Sequence, residues 1–199
     1  MAAPTAPEDR IVTIPNVISV VRLLCIPWFL YLLFGRDQRA DAAILLAVLG
    51  ATDWVDGYIA RRWNQVSTLG KVLDPVADRL LLIVGIVAII VDGSVPVVVA
   101  VLALVREGLV AGATLLLAAL GARRIDVTWW GKAGTFGLMF AFPLFLAGNS
   151  DLFWADTADV LAWVCAVPGI VLGYVALALY VPMARKALAE GRAPRQVPG

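Results

Sequence analysis

The sequence contains no histidine. Its absence removes the side chain that titrates nearest neutral pH and the commonest transition-metal ligand. Acid–base and metal chemistry must therefore fall to carboxylates. Cysteine is nearly absent as well: Cys25 and Cys165 both sit in apolar runs, where a free thiol behaves as a small buried hydrophobe. Two such residues support neither a disulfide framework nor a zinc site. Charge is sparse, with 16% of residues charged and 61% hydrophobic, against about 25% charged and about 45–50% apolar in an ordinary soluble domain. That balance points to a polytopic membrane protein. A net charge of +1 gives no global signal for nucleic acid, and no zinc-finger or recognition-helix pattern is present. The stretch Met1–Asp9 has no basic residue, so the first apolar run is expected to be a retained membrane helix rather than a cleaved leader.

What the sequence has is a succession of apolar runs. Six of them approach the ~20 residues that span a bilayer as helix: Val17–Phe34, Ala42–Ala60, Val72–Val91, Val95–Leu120, Thr128–Ala147 and Ala158–Met183. The expected fold is all-α, a six-helix membrane bundle forming a single domain over residues 1–199, with flexible ends at about 1–10 and 186–199. Asn16, after Pro15, is the expected N-cap of the first helix. No internal repeat is visible. Lys and Arg fall almost wholly on the side that also holds both termini, leaving Arg36 and Arg39 on the other. By the positive-inside rule both termini are then cytosolic, and in a bacterium the membrane would be the plasma membrane. Trp129 and Trp130 suit an interfacial belt at the start of the fifth helix.

The informative stretch reads Asp53-Trp-Val-Asp56-Gly57-Tyr-Ile-Ala60-Arg61, followed by Gly70-Lys-Val-Leu-Asp74-Pro-Val-Ala-Asp78. Asp53 and Asp56 are three apart, Asp74 and Asp78 four apart, and both spacings place a pair on one helix face. The first pair ends the second helix and the other opens the third, so the four carboxylates are expected to converge near the cytosolic side. Unpaired, each would cost about 2.5–3.5 kcal/mol at a helix centre. They outnumber the neighbouring bases Arg61 and Arg79, and divalent cations are the natural compensation. Carboxylate oxygens suit Mg²⁺, Mn²⁺ or Ca²⁺, and four are enough for two ions gripping a phosphoryl group. Gly57 lets a ligand approach the backbone, Arg61 stands ready for a phosphate oxygen, and Ser67 and Thr68 offer hydroxyl donors. Two other readings compete: a buried polar cluster that only fixes packing, and a cation transporter using the same acids. The clustering of the acids at one membrane side and the absence of an inverted repeat weigh against the transporter.

The pattern Asp-x2-Asp-Gly-x2-Ala-Arg-x8-Gly-x3-Asp-x3-Asp, eight fixed residues across 26 positions, resembles the signature of the CDP-alcohol phosphatidyltransferase family at every fixed position. The Ile14-Pro15-Asn16 opening is also similar. The resemblance implies a six-helix membrane bundle, a homodimer, and an active site at the cytosolic face. It implies Asp53, Asp56, Asp74 and Asp78 as ligands of two Mg²⁺ ions, with Mn²⁺ as an alternative, and Asp78 also as general base. Gly57, Arg61, Ser67 and Asn16 form the implied CDP-contacting set. The implied reaction moves the phosphatidyl group of CDP-diacylglycerol to an alcohol and releases CMP.

For the alcohol the sequence offers less. Arg106, beside Glu107 in the fourth helix, Arg123 and Arg124 near its end, and Lys132 in the fifth helix are the candidate acceptor-binding residues. The last three also fit ordinary positive-inside flanking charge, and Arg106 could instead be paired with Glu107. The chain is most similar to the branch that makes phosphatidylglycerol phosphate and cardiolipin. Glycerol-3-phosphate transferases of that branch often carry Gly-Lys-x-Lys-Thr, whereas this chain has Gly131-Lys132-Ala133-Gly134-Thr135. Glycerol-3-phosphate is the first expectation, and phosphatidylglycerol is the alternative opened by the missing second lysine. Gly134 also belongs to Gly131-x2-Gly134-x2-Gly137, a close-packing pattern, and Gly108-x3-Gly112 and Gly169-x3-Gly173 read as helix contacts within the bundle or between two copies.

Overall fold

The computed structural model is described for residues 14–63, 70–120 and 128–192, with side chains described for 16–52, 79–117, 119–120 and 128–184. Every regular element among these residues is helical: α1 (Ile14–Leu30), a π-helical turn (Tyr31–Gly35), α2 (Arg39–Trp63), α3 (Gly70–Asp92), α4 (Val97–Ala119), α5 (Trp129–Gly148) and α6 (Ala155–Arg192). The order of elements follows the apolar runs, and their ends are set by local chemistry.

Asn16 does not cap α1, because the helix starts at Ile14 and places Asn16 within its first turn. Pro15 explains the earlier start: a proline in the first turn lacks only an N–H that would have no intrahelical acceptor. At its other end α1 does not run straight through Phe34. Pro27 cannot donate to the carbonyl four residues back, and the helix finishes in the wider turn Tyr31–Gly35, closed by the Arg36 N–H to the Tyr31 carbonyl at 3.1 Å. Asp37 then takes φ 54°, a left-handed conformation that aspartate tolerates better than most residues. The α3 terminus is sharper. Gly93 adopts φ +82° and its N–H returns to the Ile89 carbonyl at 3.1 Å, the glycine stop expected after a helix. Thr128 caps α5, its Oγ1 accepting the Gly131 N–H at 3.2 Å. Instead of ending at Met183, α6 continues through Arg192, past the point at Lys186 where the composition turns polar. The segment Ala184-Arg-Lys-Ala-Leu-Ala-Glu is made almost wholly of strong helix formers.

Residues facing outward are large and apolar, among them Leu24, Val91 and Leu115, each about 70% exposed. Many of the residues facing inward are small: Ala100, Ala103, Ala162, Ala166 and Ala176 are essentially buried. This inverts the soluble pattern and is the arrangement a lipid solvent selects, because small residues let helices approach where no hydrophobic effect draws them together. Among the described residues four segments are long and apolar enough to cross a membrane, Asn16–Gly35, Val97–Leu117, Trp129–Gly148 and Ala155–Ala184. The chain is an integral membrane protein.

The chain divides into two compact units. One comprises the described residues up to Val95 together with Phe142–Val160; the other comprises Pro96–Ala141 and the described residues from Leu161. In the first, α1 packs on α2 and α3, and Phe29, Leu33, Ile89, Phe145 and Leu146 are buried. In the second, α5 and α6 meet through glycines. A Cβ at Gly134 would lie 2.7 Å from the Gly173 nitrogen, and one at Gly137 would lie 3.0 Å from the Cys165 carbonyl oxygen. The Gly169-x3-Gly173 contact is therefore real. Among the described residues Gly108 and Gly112 meet nothing within 4 Å, so the expected packing of that pair within the bundle is not found there; the pair lies on an exposed face of α4.

Candidate active site

The backbone of α2 runs unbroken through positions 53, 56, 57 and 61, and that of α3 runs through 70, 74 and 78. The side chains of Asp53, Asp56, Gly57, Arg61, Asp74 and Asp78 lie outside the described residues, as do Ser67, Thr68, Arg123 and Arg124 altogether. What the structure does provide is how α2 meets α3 away from the motif.

At the far end, Arg39 Nε donates to Asp92 Oδ2 at 3.1 Å. The Asp92 side chain is almost fully buried at 4% exposure, and it also accepts the Ser94 hydroxyl. Arg39 reaches Asp37 as well, at 3.1 Å, and Asn149 Nδ2 donates to the carbonyls of Ser94 and Phe145, each at 3.0 Å. Seven residues further along α2 and seven back along α3, Leu46 Cδ1 lies 3.6 Å from where a Gly85 Cβ would be. Seven residues are close to two helical turns, so Arg39 and Leu46 share one face of α2 while Asp92 and Gly85 share one face of α3. These two contacts define an antiparallel register between the helices. The pairing of Arg39 with Asp92 is not visible in the sequence. The only hint was a base opening one helix and an acid closing the next.

Asn16 is buried on α1, together with Ser19 and Arg22. Arg22 is the largest fully buried side chain among the described residues.

Among the acceptor candidates, Lys132 is exposed at the start of α5. Arg106 is buried and cross-braces three helices of the second unit. It pairs with Glu107, donates to Thr135 Oγ1 at 3.0 Å and to the Gly131 carbonyl at 3.2 Å, and lies against the bare face of Gly173, where a Cβ would come 3.1 Å from its Nε. That Nε is buried without a hydrogen-bond partner. A larger residue at 173 would intrude on the guanidinium, a constraint that Gly169-x3-Gly173 signalled only as helix packing. Cys25 and Cys165 are both free thiols.

Comparison with known proteins decides the family. The profile of the CDP-alcohol phosphatidyltransferases matches residues 12–181, which includes every residue of the aspartate motif. The chain belongs to the CDP-alcohol phosphatidyltransferase family. A cardiolipin synthase (CMP-forming) of Streptomyces coelicolor is 39% identical over 183 residues, covering 89% of this chain and 85% of the relative. A putative cardiolipin synthase of Mycobacterium tuberculosis is 36% identical over 177 residues, with the same coverage of 89% and 85%. A CDP-diacylglycerol–glycerol-3-phosphate 3-phosphatidyltransferase of Rickettsia bellii is 32% identical over 166 residues, covering 81% of this chain and 91% of the relative. This phosphatidyltransferase chain is thus similar to enzymes of both acceptor types that the sequence suggested.

Proposed function

We propose that the protein transfers the phosphatidyl group of CDP-diacylglycerol to an alcohol acceptor and releases CMP. The observation that carries this reading is the family match over residues 12–181. Release of CMP from CDP-diacylglycerol by the purified full chain tests it. Cation flux without CMP release would instead favour the transporter reading.

The α2–α3 register supports a converging site. A further seven-residue step from Leu46 reaches Asp53, and one from Gly85 reaches Asp78. The contact series Arg39 with Asp92 and Leu46 with Gly85 thus extends to Asp53 level with Asp78, with Asp56 and Asp74 one turn nearer the connecting segment. The donor set is oxygen only, in a chain without histidine, and it fits hard divalent cations. In this reading Asp53, Asp56, Asp74 and Asp78 hold two ions, Mg²⁺ or alternatively Mn²⁺. When bound, such ions neutralise charge on a diphosphate and on the departing phosphate oxygen.

The protein's own groups then do the following. Gly57, Ser67 and Asn16 seat the cytidine diphosphate. Arg61 grips a phosphate oxygen with its planar fork. Asp78 accepts the proton of the acceptor hydroxyl as the new bond forms. The acceptor oxygen bonds to the phosphorus that carries diacylglycerol, the bond from that phosphorus to the bridging oxygen breaks, and CMP leaves with that oxygen.

For the acceptor, the geometry supports phosphatidylglycerol best, giving cardiolipin. The position where related glycerol-3-phosphate enzymes have a second lysine is Gly134, pressed against the α6 backbone, and Arg106 is engaged by Glu107, Thr135 and Gly131. Fewer free cations suit a singly charged phosphodiester better than a phosphate monoester that carries close to two charges. The exposed Lys132 keeps glycerol-3-phosphate as the second reading, with Arg123 and Arg124 as further candidate contacts. Incubating the protein with CDP-diacylglycerol and each acceptor separately, then identifying the lipid formed, decides between them.

The same reading has six spans. It counts α2 and α3, of 25 and 23 residues, with the four segments already apolar enough, and it places both termini and the active site in the cytosol by the distribution of Lys and Arg. It also includes a homodimer, for which the exposed Gly108-x3-Gly112 face of α4 offers a surface of close approach. Cysteine-accessibility labelling of the α2–α3 connection from either side of the membrane tests the orientation.

A further inference from the structure

The buried face of α1 changes character along its length. Arg22, Phe29 and Leu33 are all at most 2% exposed. At spacings of seven and eleven residues they form one stripe. Toward the α2 start the stripe is apolar. Toward the α1 start it becomes polar, with Arg22 at 2%, Ser19 at 1% and Asn16 at 4% exposed. Helix α1 packs on α2 and α3, the two helices that carry the aspartates. A permanently charged guanidinium is very unfavourable in such a place unless acids compensate it.

The level of Arg22 follows from the backbone. The Gln38 N–H donates to the Leu32 carbonyl at 2.9 Å, so Leu32 stands close to the start of α2, where Arg39 meets Asp92. From Leu32 back to Arg22 is a rise of about 15 Å along α1, and from Arg39 to Asp53 is about 21 Å along α2. The Arg22 backbone is thus about 6 Å further into the bundle than positions 53 and 78. Helical side chains lean toward their own N-terminus, and for α1 that is the aspartate end. The lean carries a long side chain across much of that gap.

We infer that Arg22 is a positioning residue of the aspartate site, supplying from α1 a fixed positive charge on the membrane side of the four carboxylates. The inference rests on the proposed site and extends it from two helices to three. Four like charges in a low-dielectric setting repel one another, and a fixed cation beneath them holds them together before any ion arrives. The same cation opposes divalent ions, so its removal strengthens ion binding while loosening the arrangement.

The test uses the full chain in detergent, with Mn²⁺ binding followed by electron paramagnetic resonance and CMP release measured separately. Arg22→Gln is expected to bind Mn²⁺ about tenfold more tightly than the unaltered protein, and Arg22→Lys, which keeps the charge, within about twofold of it. CMP release at saturating Mg²⁺ falls about tenfold in Arg22→Gln and stays within about twofold in Arg22→Lys, which keeps the charge. Identical Mn²⁺ isotherms for Arg22→Gln and the unaltered protein would overturn the inference. If Arg22→Gln does not fold, Arg22→Lys decides: a tenfold change in Mn²⁺ affinity or a tenfold loss of CMP release in that charge-retaining variant also overturns it. An unaltered protein that releases no CMP with either acceptor defeats the proposed function, whereas the Mn²⁺ isotherms still judge Arg22.

Discussion

Gly134 of α5 stands so close to Gly173 of α6 that a methyl group at 134 would lie 2.7 Å from the Gly173 nitrogen and 2.8 Å from the Gly169 carbonyl oxygen. Those neighbours are backbone atoms and cannot swing aside. Gly134→Ala should therefore push the helices apart, costing about 1–3 kcal/mol, read as a lower thermal midpoint in detergent. Gly134→Lys should destabilise the protein further without conferring use of glycerol-3-phosphate. A folded Gly134→Lys protein that gains that activity would refute the packing account of this position.

Arg106 is buried and pairs with the half-buried Glu107, and removing the glutamate leaves a buried guanidinium without its compensating charge. Glu107→Leu should cost roughly 3–5 kcal/mol. The double variant Arg106→Met/Glu107→Leu should be closer to the unaltered protein than Glu107→Leu alone. A double-variant cycle on thermal midpoints measures the coupling. Purely additive losses would mean that the pair contributes nothing.

Arg39 and Asp92 join α2 to α3 at the end away from the motif, 14 residues from Asp53 and Asp78 respectively. Arg39→Ala leaves a nearly buried carboxylate with the Ser94 hydroxyl as a remaining donor, at an expected cost of about 1.5–3 kcal/mol. CMP release should fall too, because the register that brings positions 53 and 78 level loses its anchor. Asp92→Asn retains a hydrogen-bond acceptor and should lose less on both measures. Equal activity in Arg39→Ala and the unaltered protein would show that the register has other anchors.

Asp78→Asn should abolish CMP release, by at least about a hundredfold given the usual worth of a general base, while the protein still inserts and elutes as a folded species. Turnover at the unaltered rate would remove Asp78 as the base.

The order of helices was legible because lipid imposes a simple rule: a chain must offer about 20 apolar residues per crossing, and this one does so repeatedly. Helix ends were less legible, since they depend on single residues. Pro15 moved the start of α1 ahead of Asn16, and the helix-forming composition after Met183 carried α6 through to Arg192. Gly108-x3-Gly112 and Gly169-x3-Gly173 are the same pattern in sequence, yet among the described residues only the second meets another helix.

The sequence by itself determined the membrane class, the family and the chemistry open to it. Composition excludes histidine chemistry and offers neither a disulfide framework nor a zinc site, and the spacing of Asp53, Asp56, Asp74 and Asp78 is a property of helical geometry that needs no tertiary information. The tertiary structure decided which distant residues pair and which are buried. Arg39 and Asp92 are 53 positions apart, Arg106 and Thr135 are 29 apart, and Arg22 is buried on α1, which packs on α2 and α3. Burial and pairing between distant positions depend on how helices dock, and local periodicity carries no record of that.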